Sequence, residues 1–197
     1  MGGPYSLPRG ATGLTATSSE HDLSAARARA AAFYARHSAQ SGPGLRAVLQ
    51  LDPAATLIAY GRGAQAEALL SLDIGWQRVV DAHFRHRPPR PAELEEAIAA
   101  VEDALAAARP APPAGLVPVS GDAALRAIAL AAGRSSSAEG PLARDDVEQV
   151  FQRLVGVAHG RPAAREGIPE DAAFAASLTL LRELMHHLDF PSVVIAR

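Results

Sequence analysis

The sequence predicts an α/β domain built on a mixed five-stranded sheet with helices on its faces. Three observations carry this. Three apolar runs over residues 46–52, 55–62 and 66–73 follow one another with only short turns between them, so they read as an antiparallel meander. Later apolar runs alternate with helical patterns, which calls for crossover connections and parallel pairing. The 197-residue chain is 48% hydrophobic, enough to fill the core of one domain.

The remaining bulk properties narrow the function. Net charge is −2, so no global field draws nucleic acid or an anionic membrane. Aromatics make up 5%, leaving a core of Ala, Leu and Val. The chain lacks Cys, which excludes disulfides, thiolate zinc sites and a Cys nucleophile, and suits a cytoplasmic protein. No uninterrupted apolar run reaches membrane-spanning length, and the first residues do not read as a secretory signal. Abundant Ala, Arg, Pro and Gly fit a GC-rich genome, which lowers the weight of any motif built on Ala or Arg.

In chain order, residues 1–16 are rich in Gly, Pro, Ser and Thr and read as a flexible segment, leaving 17–197 as the folded domain. Leu23, Ala26, Ala30, Phe33 and Tyr34 share a helical face, so a helix is expected over 22–38, capped by Ser18, Ser19 or Asp22. Gly42-Pro43-Gly44 breaks it. The meander turns at Asp52-Pro53 and at Gly61-Arg62-Gly63. Trp76, Val79, Val80 and Phe84 mark a short helix. A longer one begins at Pro91, with Leu94, Ile98, Val101 and Leu105 in register. Residues 115–121 read as a strand and 122–133 as a helix with Gly133 at its end. Residues 134–143 read as a loop. A helix follows, with Val147, Val150, Phe151 and Leu154 inward, then an irregular stretch, a long helix over 170–190 and a closing strand over 191–197. This order of elements is that of a ribonuclease-H-like, actin-like domain.

Several residues then carry a family resemblance. The stretch LLSLDIGWQRVVDAHF, followed by RPAELEEAIAAVEDAL, places Ser71, Leu72, Gly75 and Arg78 in a Ser-Leu-x-x-Gly-x-x-Arg pattern at a strand end. LVPVSGDAALRAIALAAG reads as a strand, a Gly turn and a helix. Together with the closing segment from residue 142, these resemble the exopolyphosphatase / guanosine pentaphosphate phosphohydrolase (Ppx/GppA) family over residues 45–197. The resemblance implies one half of a two-domain actin-like clamp, the second half, without the first domain. It also implies a phosphoanhydride substrate, such as polyphosphate or a nucleotide, and Mg²⁺ if the chain is active.

The departures from the family pattern matter as much. The family's phosphate loop reads Asp-x-Gly-Gly-Gly-Ser-x-Glu. Here Asp52 keeps the first position and is the candidate catalytic residue, but Pro53, Ala54 and Ala55 stand where glycines are needed for backbone N–H groups to approach phosphate. Thr56 stands near the hydroxyl position, and Leu57 or Ile58 replaces the Glu. By the same alignment Thr56, Arg78, Ser120 and Gly121 are the candidate phosphate-binding residues, although Asp122 beside them would repel an anion. An ordinary hairpin turn explains Asp-Pro-Ala-Ala equally well.

Three readings stay open. One is a non-catalytic interaction or regulatory module, acting as a homodimer or with a protein partner. The second is a phosphoanhydride hydrolase completed by a partner or dimer mate. The third is a phosphate or nucleotide sensor without turnover, using Arg78, Arg85 and Arg87. Other clusters read structurally. His83 and His86, with Arg85, Arg87 and Arg90, read as a solvated helix end and loop; a phosphate or acidic-partner site is the alternative, and the cations discourage a metal. Asp145, Asp146 and Glu148 suit a helix start, and His186 and His187 suit a helix end, with a two-His-one-Asp set through Asp189 as the metal-binding alternative.

Overall fold

Strands β1 (Arg46–Leu51), β2 (Thr56–Gly61) and β3 (Ala68–Leu72) form the expected antiparallel meander in the computed structural model, which describes residues 14–40, 42, 44–135 and 139–196, with side chains from Asp22 onward. Before them runs α1 (Leu14–Gln40); after them come α2 (Trp76–His83), α3 (Pro91–Ala107), β4 (Val119–Ser120), α4 (Ala123–Ala131), β5 (Gly140–Ala143), α5 (Arg144–Ala158), α6 (Ala163–Glu166), α7 (Ala172–His187) and β6 (Ser192–Ile195). The sheet order is β3-β2-β1-β4-β6-β5. β4 runs parallel to β1 and to β6, and β5 closes the edge antiparallel to β6. This is the expected mixed sheet of the ribonuclease-H-like, actin-like class.

The central strands are buried on both faces, which is why they read as unbroken apolar runs. Ala47, Leu49 and Leu51 of β1, with Ile58 and Tyr60 of β2, face the large layer formed by α2, α3, α4, α5 and α7. Val48 and Ala59 point the other way, onto Tyr34 of α1, and Leu57 packs there on Ala26 and Ala30. Helix α7 lies at the centre of the large layer against α2, α3, α4 and α5. It is therefore buried almost all round from Phe174 to Met185, without a polar stripe. Asp171 caps it, its Oδ1 accepting the Ala173 N–H at 3.0 Å. No helix among the described residues is long and apolar enough to cross a membrane.

Four expectations change. Among the described residues the sheet has six strands, not five, because Gly140–Ala143 pairs with β6. Pro141 reads as a loop signal, yet proline is tolerated on an edge strand, where its missing N–H faces no partner. The strand expected over 115–121 shortens to Val119–Ser120, since Pro118 lacks an N–H and contributes only its carbonyl, to Val194 N–H at 2.9 Å. Helix α1 starts at Leu14, so Ser18, Ser19 and Asp22 lie inside it and do not cap its start. The stretch at 160–168 contains the short helix α6. Most of the expected flexible segment, residues 1–13, lies outside the described residues, as do Ser136 and Ser137 of the serine-rich loop.

Candidate functional site

Parallel strands β1 and β4 end side by side, and the loops that leave them hold the sequence's candidate residues. Asp52 follows β1; Ser120, Gly121 and Asp122 lead from β4 into α4. The two loops are tied together. Asp122 reaches across so that its Oδ2 accepts the Leu51 N–H at 2.6 Å, while its own N–H donates to Ser120 Oγ at 3.2 Å. Burial raises the Asp122 carboxyl, the Leu51 amide opposes that, and the nearby Asp52 charge raises it further, to about 6.

The Asp52–Ala55 turn is a tight hairpin. The Asp52 N–H donates to the Ala55 carbonyl at 2.9 Å. Behind the turn lies Gly75, whose lack of a side chain is required: a Cβ there would stand 2.3 Å from the Asp52 carbonyl oxygen and 2.5 Å from the Ala55 nitrogen. The first amides of α2, which a phosphate loop would leave free for an anion, are spent on the chain itself. Gln77 and Arg78 N–H both point at the Pro53 carbonyl, at 3.1 and 3.4 Å.

The side chains are similarly engaged. Asp52 is nearly buried; its Oδ1 accepts from Arg29 Nη2 at 2.8 Å, and its Oδ2 has no hydrogen-bond partner among the described residues. Thr56 Oγ1 is buried and donates to the Ile74 carbonyl at 2.8 Å. Arg78 turns away to Asp73, Nη1 to Oδ1 at 2.6 Å. Ser120 is fully buried, and a Cβ on Gly121 would come 3.3 Å from the Phe33 ring. Asp52, Ser120, Gly121 and Asp122 thus gather at one end of the sheet. Thr56 and Arg78 face other partners.

Asp122 separates two open clefts. One, of about 350 Å³, lies under α1 and is lined by Arg29, Phe33, Arg36, Gln50 and Gly121. The other, of about 390 Å³, is lined by Leu51, Trp76, Ala127, Phe174 and Ser177. The donor set does not suit Mg²⁺, which demands near-octahedral oxygen ligands. One Asp52 oxygen already holds a guanidinium, and one Asp122 oxygen holds an amide.

Sequence reasoning missed Arg29. It is one of several arginines in an Ala/Arg-rich helix, and no local signal distinguishes it; only the packing of α1 across β1 and β2 brings it to Asp52. Elsewhere, His86 Nδ1 lies 2.7 Å from Glu93 Oε1 and His83, at the end of α2, lies 4.0 Å from Glu96, so α3 carboxylates meet both imidazoles. The two-His-one-Asp set does not assemble. His186 goes to Glu148, His187 to Glu102 and Glu183, and Asp189 to Arg144. Neighbouring helix residues point about 100° apart, which separates the two imidazoles.

No protein-family model and no curated protein matches the sequence. Solved structures do share the fold. A Ppx/GppA family member from Aquifex aeolicus superposes with a TM-score of 0.67 at 14% identity, over 83% of this chain and 56% of that one. An exopolyphosphatase from Cytophaga hutchinsonii gives 0.62 at 14%, over 86% and 58%. An exopolyphosphatase-like protein gives 0.59 at 19%, over 79% and 56%. The resemblance to the Ppx/GppA family therefore holds at the level of the fold, and the chain spans little more than half the length of these structures.

Proposed function

We propose that this chain is a non-catalytic module of Ppx/GppA-type fold that acts by docking a protein, a second copy of itself or a separate chain, at the Asp52–Asp122 end of its sheet. The observation that carries this reading is the internal engagement of the turn. Pro53 offers no N–H, its carbonyl takes the α2 amides, and Arg29 holds Asp52. A phosphoanhydride would find few free donors there and two carboxylates, one of which, Asp122, lines both clefts. The clefts beside Asp122 instead present exposed Arg36 and half-buried Phe33 and Trp76, the aromatic and arginine anchors that protein interfaces favour. The absence of Cys suits a reducing compartment, in keeping with a cytoplasmic role.

A second reading rests on the closeness of Asp52 and Asp122, felt in the raised Asp122 carboxyl. In that reading a partner or dimer mate draws Arg29 away and completes a phosphoanhydride hydrolase. The test measures released phosphate with Mg²⁺ and polyphosphate, ATP or guanosine tetraphosphate, together with thermal melts and the molecular mass in solution. The docking module gives no release, no ligand-dependent melting shift, and a dimer or a partner-dependent assembly. Release that vanishes in Asp52→Ala overturns it in favour of the hydrolase, and a melting shift without release overturns it in favour of a sensor.

A further inference from the structure

We propose that Glu102, Glu183 and His187 form a binding site for a divalent transition-metal ion of the zinc class. The site lies at the far end of α7 from Asp122. The Asp122 cleft touches Ala173, and His187 is fourteen residues on, about 20 Å along the helix axis. It stands independently of the docking role.

The helix supplies the first two ligands. Glu183 and His187 are four residues apart on α7, one turn of the same face. Helix α3 packs on α7 and brings Glu102 to that face. His187 Nε2 lies 3.3 Å from Glu102 Oε1 and 3.6 Å from Glu183 Oε2, and the three donor atoms all lie within 4.8 Å of one another. Ligands at about 2.0–2.1 Å from a tetrahedral zinc stand about 3.3 Å apart, so the two His187 separations are near those of a loaded site. One imidazole and two carboxylates also suit the borderline-soft divalent ions, and the two negative charges balance the ion.

A second feature fixes the buried ligand. Glu183 is 2% exposed. Its Oε1 is held by Arg182 Nη1 at 2.5 Å, and Arg182 Nε is held in turn by Glu148 at 2.7 Å. That chain of partners leaves Oε2 on the side of His187, as outer partners orient carboxylate ligands in metal sites. Two of the three ligands, Glu102 and His187, line a groove of about 410 Å³ together with Leu70, Asp103, Arg109 and Leu188, through which an ion and its remaining water ligand can enter. With three protein ligands, a fourth position is left for that water.

The competing account is His187 bridging the two carboxylates by hydrogen bonds with no ion. Isothermal titration of the untagged full-length chain with zinc chloride separates the two. The proposal expects saturable binding of one equivalent, reversed by a chelator. His187→Ala and Glu102→Gln, both at half-exposed positions, should each weaken it at least about tenfold while leaving the circular dichroism spectrum and the melting midpoint in chelator unchanged. Absence of saturable binding, or affinity that either variant leaves within about threefold of the parent, overturns the proposal.

Discussion

Asp122 Oδ2 sits 2.6 Å from the Leu51 amide, so a carboxylate from the loop after β4 closes the end of β1. The contact replaces what a ladder partner would give that N–H. It also buries an acid next to Asp52.

The consequence is a pH dependence of stability. Asp122 is raised from an ordinary 3.8 to about 6, by burial first and by the Asp52 charge, against the pull of the Leu51 amide. Between those values the folded chain holds more proton than the unfolded chain, so stability falls as pH rises through that window and stays lower above it. Asp122→Asn keeps an oxygen for Leu51 and removes the titration. Its melting midpoint should exceed the parent's at pH 7.5 by about 4–8 °C, for a gain on the order of 2 kcal/mol, and the difference should close by pH 4. Melts across that range check it; an unchanged pH slope refutes the assignment.

Glu93 runs the other way. Burial raises its carboxyl, but the hydrogen bonds from His86, Arg90 N–H and Arg85 N–H outweigh that and hold it at about 2, below its ordinary 4.5. Its stabilisation is therefore fully present above about pH 4.5 and drains away as pH falls toward 2. Glu93→Gln should cost about 1–2 kcal/mol at neutral pH. Urea unfolding at pH 7 and pH 3 should show the gap shrinking in acid.

Gly75→Ala should be among the most damaging single-methyl additions in the chain. The new Cβ would meet the backbone of Asp52, Pro53 and Ala55 at 2.3–2.5 Å, and backbone cannot step aside as a side chain can. We expect a loss of about 3 kcal/mol or more, read from the urea midpoint. A neutral result would mean that the turn does not seat on Gly75.

Arg182 holds two carboxylates, Glu148 and the buried Glu183, and stacks 4.6 Å over the Phe151 ring. Arg182→Met should destabilise by about 3 kcal/mol, because it strands the Glu183 charge. Adding Glu183→Gln should recover part of that loss. A double-mutant cycle in which the two costs simply add would contradict the coupling.

Much of the fold was legible because local pattern and final environment agree. The meander, the helix faces of α1, α2, α3 and α5, and the Pro start of α3 follow from spacing and composition. β5 was illegible because Gly140-Pro141 is a loop signal until an edge partner exists, and that partner, β6, comes fifty residues later. The start of α1 was illegible because Ser and Asp near residue 20 favour a cap over a helix interior, yet here they lie inside the helix.

The sequence by itself determined that the turn after β1 lacks glycines and a Glu, that Asp52 and Asp122 follow strand ends, and that no Cys chemistry operates. Only the tertiary structure decided what those residues touch. Arg29 reaches Asp52 across 23 residues and Asp122 reaches Leu51 across 71, because β1 pairs with β4 and α1 lies over the sheet. Helical period places Glu183 and His187 on one face, but Glu102 joins them only through the packing of α3 on α7. Short-range pattern reports a residue's own backbone and face; the partner of a buried charge is set by which distant elements the core brings together.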